Sequence, residues 1–281
     1  MRLSHNMFSL GIYRNYKTNL TDNSKAIGNI SSGKKLNSAK DNPNKIAQSE
    51  NLKIQLLARE AAVQNTQDTN SMIQTFDGAL QEVNNNLSRL KELTVKAANG
   101  SYDDADKAII QKEIDSIKET VDHLVTKTTF NDIPISKGTG VTDINVPSEN
   151  KKSQIGALPD EAIDVPFYNV TSEGLGIKDI DVTSAGDPQK AISDVDKAVN
   201  LVSRIRSKYG AIQNRLENNI STTEETNESY SRAQSSIEDA DIAEEMVEFC
   251  RSQIVTQSSI ALMAQSNKFP QEALNVLSNV R

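Results

Sequence analysis

The sequence predicts a mainly α protein: a long, coiled-coil-like helical bundle built from both chain ends, with a small β-hairpin region in the middle. Three observations predict it. Apolar residues recur at spacings of three and four from near the start to about Phe130, and again from about Asp187 to the end. Between these stretches glycine, proline and β-branched residues dominate: Pro134, Gly138, Gly140, Pro147, Gly156, Pro159, Pro166, Gly174, Gly176 and Gly186. Aromatic residues are only 4% of the chain and tryptophan is absent. That is little bulk for a large compact core, whereas a bundle can be filled with Ala, Ile, Leu and Val.

Each element follows from its residues. Tyr13, Tyr16, Leu20, Asn23, Ile27 and Ile30 keep a three-four rhythm, which Ser31-Ser32-Gly33 ends. Asn42-Pro43-Asn44 predicts a turn, because Pro43 biases Asn42 away from helical angles. A helix is expected to resume near Lys45 and run, with irregularities, to Asn99. Its strongest part is Ile73, Phe76, Leu80, Val83, Leu87, Leu90, Thr94 and Ala97, a heptad seam with one polar slip. Asn99-Gly100 is a stop, and the carboxylates of Tyr102–Asp106 suit a new helix N-terminus. Ile110, Ile114, Ile117, Val121 and Leu124 continue the spacing, so this helix should return antiparallel to the previous one.

From Asn131 to Asp187 the period falls to two. Thr142–Val146, Ile163-Asp164-Val165 and Ile180-Asp181-Val182 predict short strands with little core of their own. Asp187-Pro188 then predicts a helix start, Asp187 as N-cap and Pro188 in the first position. Ile192, Val195, Val199 and Val202, then Ile205, Tyr209, Ile212, Leu216 and Ile220, form its stripe. The texture changes at Ser235–Asp239. A last amphipathic segment carries Ile242, Met246, Phe249, Val255, Leu262, Leu274 and Leu277. The division expected is residues 1–44, 45–130, 131–186, 187–236 and 237–281.

Composition narrows function. The formal net charge is −7, with no basic run and no aromatics interleaved with Lys or Arg, which argues against nucleic acid. Cys250 is the single cysteine and sits among Met246, Val247 and Phe249, as a small buried hydrophobe would. His5 and His123 are the only histidines, too few for a zinc site or a thiol's base. No apolar run spans a membrane, and Met1–Leu20 does not read as a cleavable signal. No enzyme activity and no cofactor are expected.

The terminal stripes demand partners. Burying one aliphatic side chain contributes roughly 1.5–3 kcal/mol, so a stripe represents on the order of 10 kcal/mol that an isolated helix cannot collect. Two short helices share little core. The economical solution is that the ends pair and also pack on equivalent pairs in neighbouring copies. Repeated head to tail, that contact gives an open helical polymer. The candidate assembly residues are Tyr13, Tyr16, Leu20, Ile27 and Ile30 at one end. At the other they are Ile242, Met246, Phe249, Leu262, Leu274 and Leu277. Before assembly these segments are expected to be largely unfolded or held by a chaperone.

Several stretches resemble bacterial flagellin. They are Ile30–Asp41, Gln67-Asp68, Met72–Thr75, Leu90–Val95, Thr129-Phe130-Asn131, Ser236–Met246, Thr256-Gln257 and Ala264–Asn267. The resemblance implies an inner tube made by residues before about Asn44 and after about Ile237, and an outer helical bundle with the β region on its outside. It implies a self-assembling extracellular filament for motility, exported through the flagellar type III channel without a cleaved signal. It also implies partners: a flagellin export chaperone on the C-terminal segment, and filament cap and hook-junction proteins. In flagellins recognised by Toll-like receptor 5, an Arg and a Leu on one helix and a Glu on the next make the contact; the matching positions are Arg89, Leu93 and Glu113. The opening Met1-Arg2-Leu3-Ser4 and Asp41-Asn42-Pro43-Asn44 instead resemble hook–filament junction proteins, the alternative reading.

Overall fold

The computed structural model describes residues 6–136, 143, 147–183 and 186–279. In chain order the elements are α1 (Met7–Ser32), α2 (Pro43–Ala97), α3 (Asp104–Lys127), β1 (Thr129–Phe130), β2 (Ile133–Pro134), β3 (Glu149–Gln154), β4 (Ala162–Phe167), α4 (Pro188–Glu238) and α5 (Ile242–Asn279). The mainly α class with small β hairpins is what the periodicity predicted. Two compact units emerge. A terminal unit holds the described residues up to Ile54 and from Ser229, and a central unit holds Gln55–Glu228.

The helix ends follow local chemistry. Gly33 closes α1 in the left-handed region, φ 70°, and its amide donates to the Asn29 carbonyl at 2.8 Å. Helix α2 begins at Pro43 itself rather than near Lys45, because Asn42 Oδ1 accepts the Lys45 amide at 3.1 Å. Asp103 Oδ1 accepts the Asp106 amide at 2.8 Å and starts α3. Asp187 Oδ1 accepts the Gln189 and Lys190 amides and starts α4 at Pro188, as predicted. Asp241 Oδ1 accepts the Ala243 amide at 2.9 Å, so the break between α4 and α5 falls at residues 239–241, at the end of the stretch 235–239 where the texture changes.

In the central unit every member of the Ile73–Ala97 stripe is buried. Ile110, Ile114 and Val121 of α3 and Val195, Val202, Ile205, Tyr209, Ile212 and Leu216 of α4 belong to the same cluster. The expectation that the middle segment has little core of its own needs one addition: it joins this one. Ile163, Val165, Phe167, Tyr168, Val170, Leu175, Ile177, Ile180 and Val182 are all buried. Phe167 meets Phe76 edge-on at 5.5 Å, and the buried Tyr209 hydroxyl donates to the Pro166 carbonyl at 2.9 Å.

The strands differ from prediction in instructive ways. Ile163–Val165 lies in β4, which pairs antiparallel with β3 from Glu149↔Phe167 to Gln154↔Ala162. Strand β3 was not predicted, because Glu-Asn-Lys-Lys-Ser-Gln has no apolar alternation; its backbone pairing with β4 makes it a strand. The hairpin β1–β2 turns on Asn131 (φ 47°) and Asp132 (φ 61°), both left-handed, as a two-residue turn of this kind requires. Ile180–Val182 is not a strand. The Gln111 side chain replaces a strand neighbour: Nε2 donates to the Ile180 carbonyl at 3.1 Å and Oε1 accepts the Val182 amide at 3.0 Å. Of the strand predicted over 142–146, only Asp143 lies within the described residues.

Candidate assembly interface

Helices α1 and α5 pack against each other, and three side-chain bonds fix them as antiparallel. Asn6 Nδ2 donates to Ser266, Asn23 Nδ2 to Ser252 Oγ at 2.9 Å, and Asn29 Nδ2 to Glu245 Oε1 at 2.8 Å. On α5 the most buried seam positions are Ser252, Ser259 and Ser266, one heptad apart, at 1%, 6% and 3% exposure. Thr256, between the first two, has a buried hydroxyl with no partner. On α1 the seam holds Ile12, Tyr16, Asn19, Asn23 and Ala26.

This inverts the usual arrangement. The α5 side of the seam is small and polar, α1 brings Ile12, Tyr16 and Ala26 to it beside its asparagines, and most of the large apolar groups face outward. Phe8 is 69% exposed, Val247 68%, Ile254 64% and Phe269 62%. Met7, Leu10, Ile260 and Leu262 are exposed as well. Such a concentration of exposed apolar side chains marks a binding surface.

The stripe read from the α1 sequence therefore divides. Tyr16 and Ile30 are half-buried, while Tyr13, Leu20 and Ile27 are exposed. The seam with α5 follows Ile12-Tyr16-Asn19-Asn23-Ala26, one position from Tyr13, Leu20 and Ile27, which stay on the outer face. The reason is that polarity and apolarity exchange places here, so following the apolar residues leads partly to the outer face. On α5, Phe249 is half-buried, whereas Ile242, Met246 and Leu262 are exposed, and so is Cys250, which was expected to be buried but lies off the seam. Leu274 and Leu277 lie in the helix, with side chains outside the described residues.

A polar cluster ties the helix ends of the terminal unit. Lys34 forms an ion pair with Glu238, whose other oxygen accepts the Ser49 hydroxyl at 2.8 Å and the Gln234 amide at 3.2 Å. The Lys34 ammonium, then the Ser49 hydroxyl, hold the Glu238 carboxyl down at about 2, against a smaller opposing effect of burial. Backbone bonds from Lys35 N to the Glu238 carbonyl and from Ala240 N to the Gly33 carbonyl complete the joint. Sequence reading missed Glu238, the donors Asn6 and Asn29, and the serines that accept across the seam. Their one visible signal was the seven-residue recurrence of Ser252, Ser259 and Ser266.

In the central unit Arg89 Nη2 and Nε both reach Glu113 Oε1, at 2.7 and 3.2 Å, and Nη1 reaches Glu92 at 2.9 Å. Glu113, then Glu92, push the guanidinium's pKa upward. Arg89 and Glu113 are exposed together. Leu93 is not beside them at the surface: it is 3% exposed and packs in the core, since four residues turn the helix by more than a full turn.

Among the described residues no helix is long and apolar enough to cross a membrane. Residues 3–139 match the family model described as the bacterial flagellin N-terminal helical region, and residues 192–277 match the C-terminal helical region. The chain is 36% identical to a flagellin of Bacillus subtilis, over 99% of this chain and all of the relative. It is 33% identical to a flagellin of Halalkalibacterium halodurans and 32% to a flagellar filament core protein of Brachyspira hyodysenteriae, at the same coverage. Among solved structures, a putative flagellar hook-associated protein of Vibrio parahaemolyticus shares the fold, with a TM-score of 0.57 at 14% identity, over 71% of this chain and all of that one. Full-length identity to flagellins, joined to both terminal family regions, establishes that the chain belongs to the bacterial flagellin family, the structural subunits of the flagellar filament.

Proposed function

We propose that this chain polymerises through the outward apolar faces of α1 and α5, as the inner tube of a motility filament, with the central unit forming the outer bundle. One observation carries the reading: the α1–α5 pair hides Ser and Asn and exposes Phe, Ile, Leu and Val. A pair left alone in water would gain from the opposite arrangement, so a neighbouring copy is the occupant that rewards this one. Residues 1–44 and 237–281 are the assembly segments; residues 45–130 and 187–236 are the bundle, with the described residues of 131–186 packed on it. The weakly held pair also suits export of an unfolded chain through the flagellar type III channel to the cell exterior. Its apolar α5 face suits an export chaperone before assembly, and the same ends meet cap and junction proteins. Electron microscopy of the purified, concentrated protein tests this: long uniform filaments are expected. Their absence at every concentration would remove the reading and favour the hook–filament junction alternative.

The exposed Arg89–Glu113 pair supports a second role for that face, in which it serves as a docking surface for Toll-like receptor 5. Leu93 then contributes by seating the helix rather than by direct contact. Monomeric Arg89→Ala is expected to lose receptor signalling; unchanged signalling would exclude the face.

A further inference from the structure

Pro270 lies inside α5 and has no amide hydrogen. The carbonyl four residues earlier, on Ser266, therefore lacks its helical donor. Asn6 supplies one. Its Nδ2 donates to the Ser266 carbonyl and to Ser266 Oγ, both at 3.0 Å. The other end of the same side chain caps α1, Oδ1 accepting the Ser9 amide at 3.2 Å. One amide group thus starts one helix and repairs the break in the other.

The chemistry of the seam makes this specific. Ser252, Ser259 and Ser266 repeat each heptad, so a slip of α5 along α1 by one heptad, about 10 Å, would still set serine against asparagine. The hydroxyls alone do not distinguish the registers. At this end of the pair the carbonyls do, as the Asn29–Glu245 bond does at the other. Four residues after Ser252 and Ser259 stand Thr256 and Met263, which have amides; only Ser266 is followed by proline. We propose that Asn6 and Pro270 form a register key, which fixes the stagger of α5 on α1 and so aligns the outer apolar stripes of the two helices. A buried polar group that selects register at some cost in stability is a known device of coiled coils. The use of the aligned stripes rests on the assembly reading; the key itself does not.

Disulfide trapping in the full-length Cys250→Ser chain tests it. The in-register pair Asn23→Cys with Ser252→Cys is compared with the slipped pair Asn23→Cys with Ser259→Cys, under assembly conditions, on non-reducing gels. The in-register pair is expected to close about tenfold faster, the value of one buried acceptor left unmet in the slipped state. Asn6→Asp keeps the cap but loses the donor, and is expected to bring the two rates within about threefold. In a Pro270→Ala background, where the Ser266 carbonyl regains an amide, Asn6→Asp should change the ratio little. Equal rates in the parent chain, or a preference untouched by Asn6→Asp, would overturn the key. Sedimentation of the same samples reads polymer formation separately, so a chain that closes in register yet never sediments counts against the assembly reading alone.

Discussion

Glu238 concentrates the electrostatics of the terminal unit. Its side chain is 17% exposed, and three side chains donate to it. The carboxyl falls from an ordinary 4.5 to about 2, with the Lys34 bond as the first cause and Ser49 next. A depressed carboxyl contributes stability that is present above the unfolded value and lost as pH falls through the folded one. The window is therefore pH 4.5 to about 2. Lys34 is half exposed, so solvent screening reduces the contribution to about 1–2 kcal/mol. Glu238→Gln should lower the stability of the assembled protein by that amount at neutral pH and flatten its acid sensitivity between pH 4.5 and 2. Filament dissociation followed against pH checks both, and an unchanged acid midpoint would remove Glu238 from the joint.

Two helix faces act as elements rather than through single residues. On α3, Gln111, Lys118 and Asp122 hold the irregular segment after β4. Gln111 takes the Ile180 carbonyl and the Val182 amide. Lys118 Nζ donates to the Lys178 and Ile180 carbonyls at 3.1 and 3.0 Å. Asp122 accepts the Ser172 amide at 2.7 Å and hydroxyl at 2.6 Å. This polar stripe runs beside the apolar one and does the work of a strand edge. Gln111→Ala strands the Val182 amide, while Lys118 still serves the Ile180 carbonyl, and should cost about 1–3 kcal/mol, read as a lower denaturant midpoint at unchanged slope. On α5 the outer face is the sensitive one. Ile254→Glu places a charge where a neighbour should pack. It is expected to raise the critical concentration for polymerisation at least about tenfold, the effect of an unpaired charge in an interface, while leaving the thermal unfolding of the central unit unchanged. Normal assembly by that variant would mean that this face stays in water.

At the scale of the whole molecule, the two units differ in kind. The central unit has one continuous apolar core shared by helices and strands, whereas the terminal unit has a polar seam and an apolar exterior. A fragment spanning Gln55–Glu228 should therefore fold cooperatively, stay helical by circular dichroism and remain monomeric at any concentration. Sedimenting fragment would assign assembly to the wrong unit. The ends, by contrast, gain most of their apolar burial only in company, so their hydrogen-exchange protection should rise sharply on polymerisation.

Where side-chain period and burial agree, the residues alone were enough. Ile73 to Ala97, the acidic start of α3, the Asp187 cap, the Gly33 stop and the amphipathic ends were all legible, because a helix is closed by its own backbone and its caps lie within a few residues. Three features required the folded chain. Strand β3 exists by pairing with β4, the segment 180–182 is held by a side chain about seventy positions earlier in sequence, and the α1–α5 seam runs through Asn and Ser. Periodicity reports that a face will be buried, but not against what. A helix whose apolar face waits for another molecule carries the same stripe as one whose apolar face fills its own core. The sequence by itself thus determined the helices, their breaks and the demand for partners. The tertiary structure decided which face of the terminal helices is spent within the chain and which is left for its neighbours, because that choice depends on contacts between residues more than two hundred positions apart.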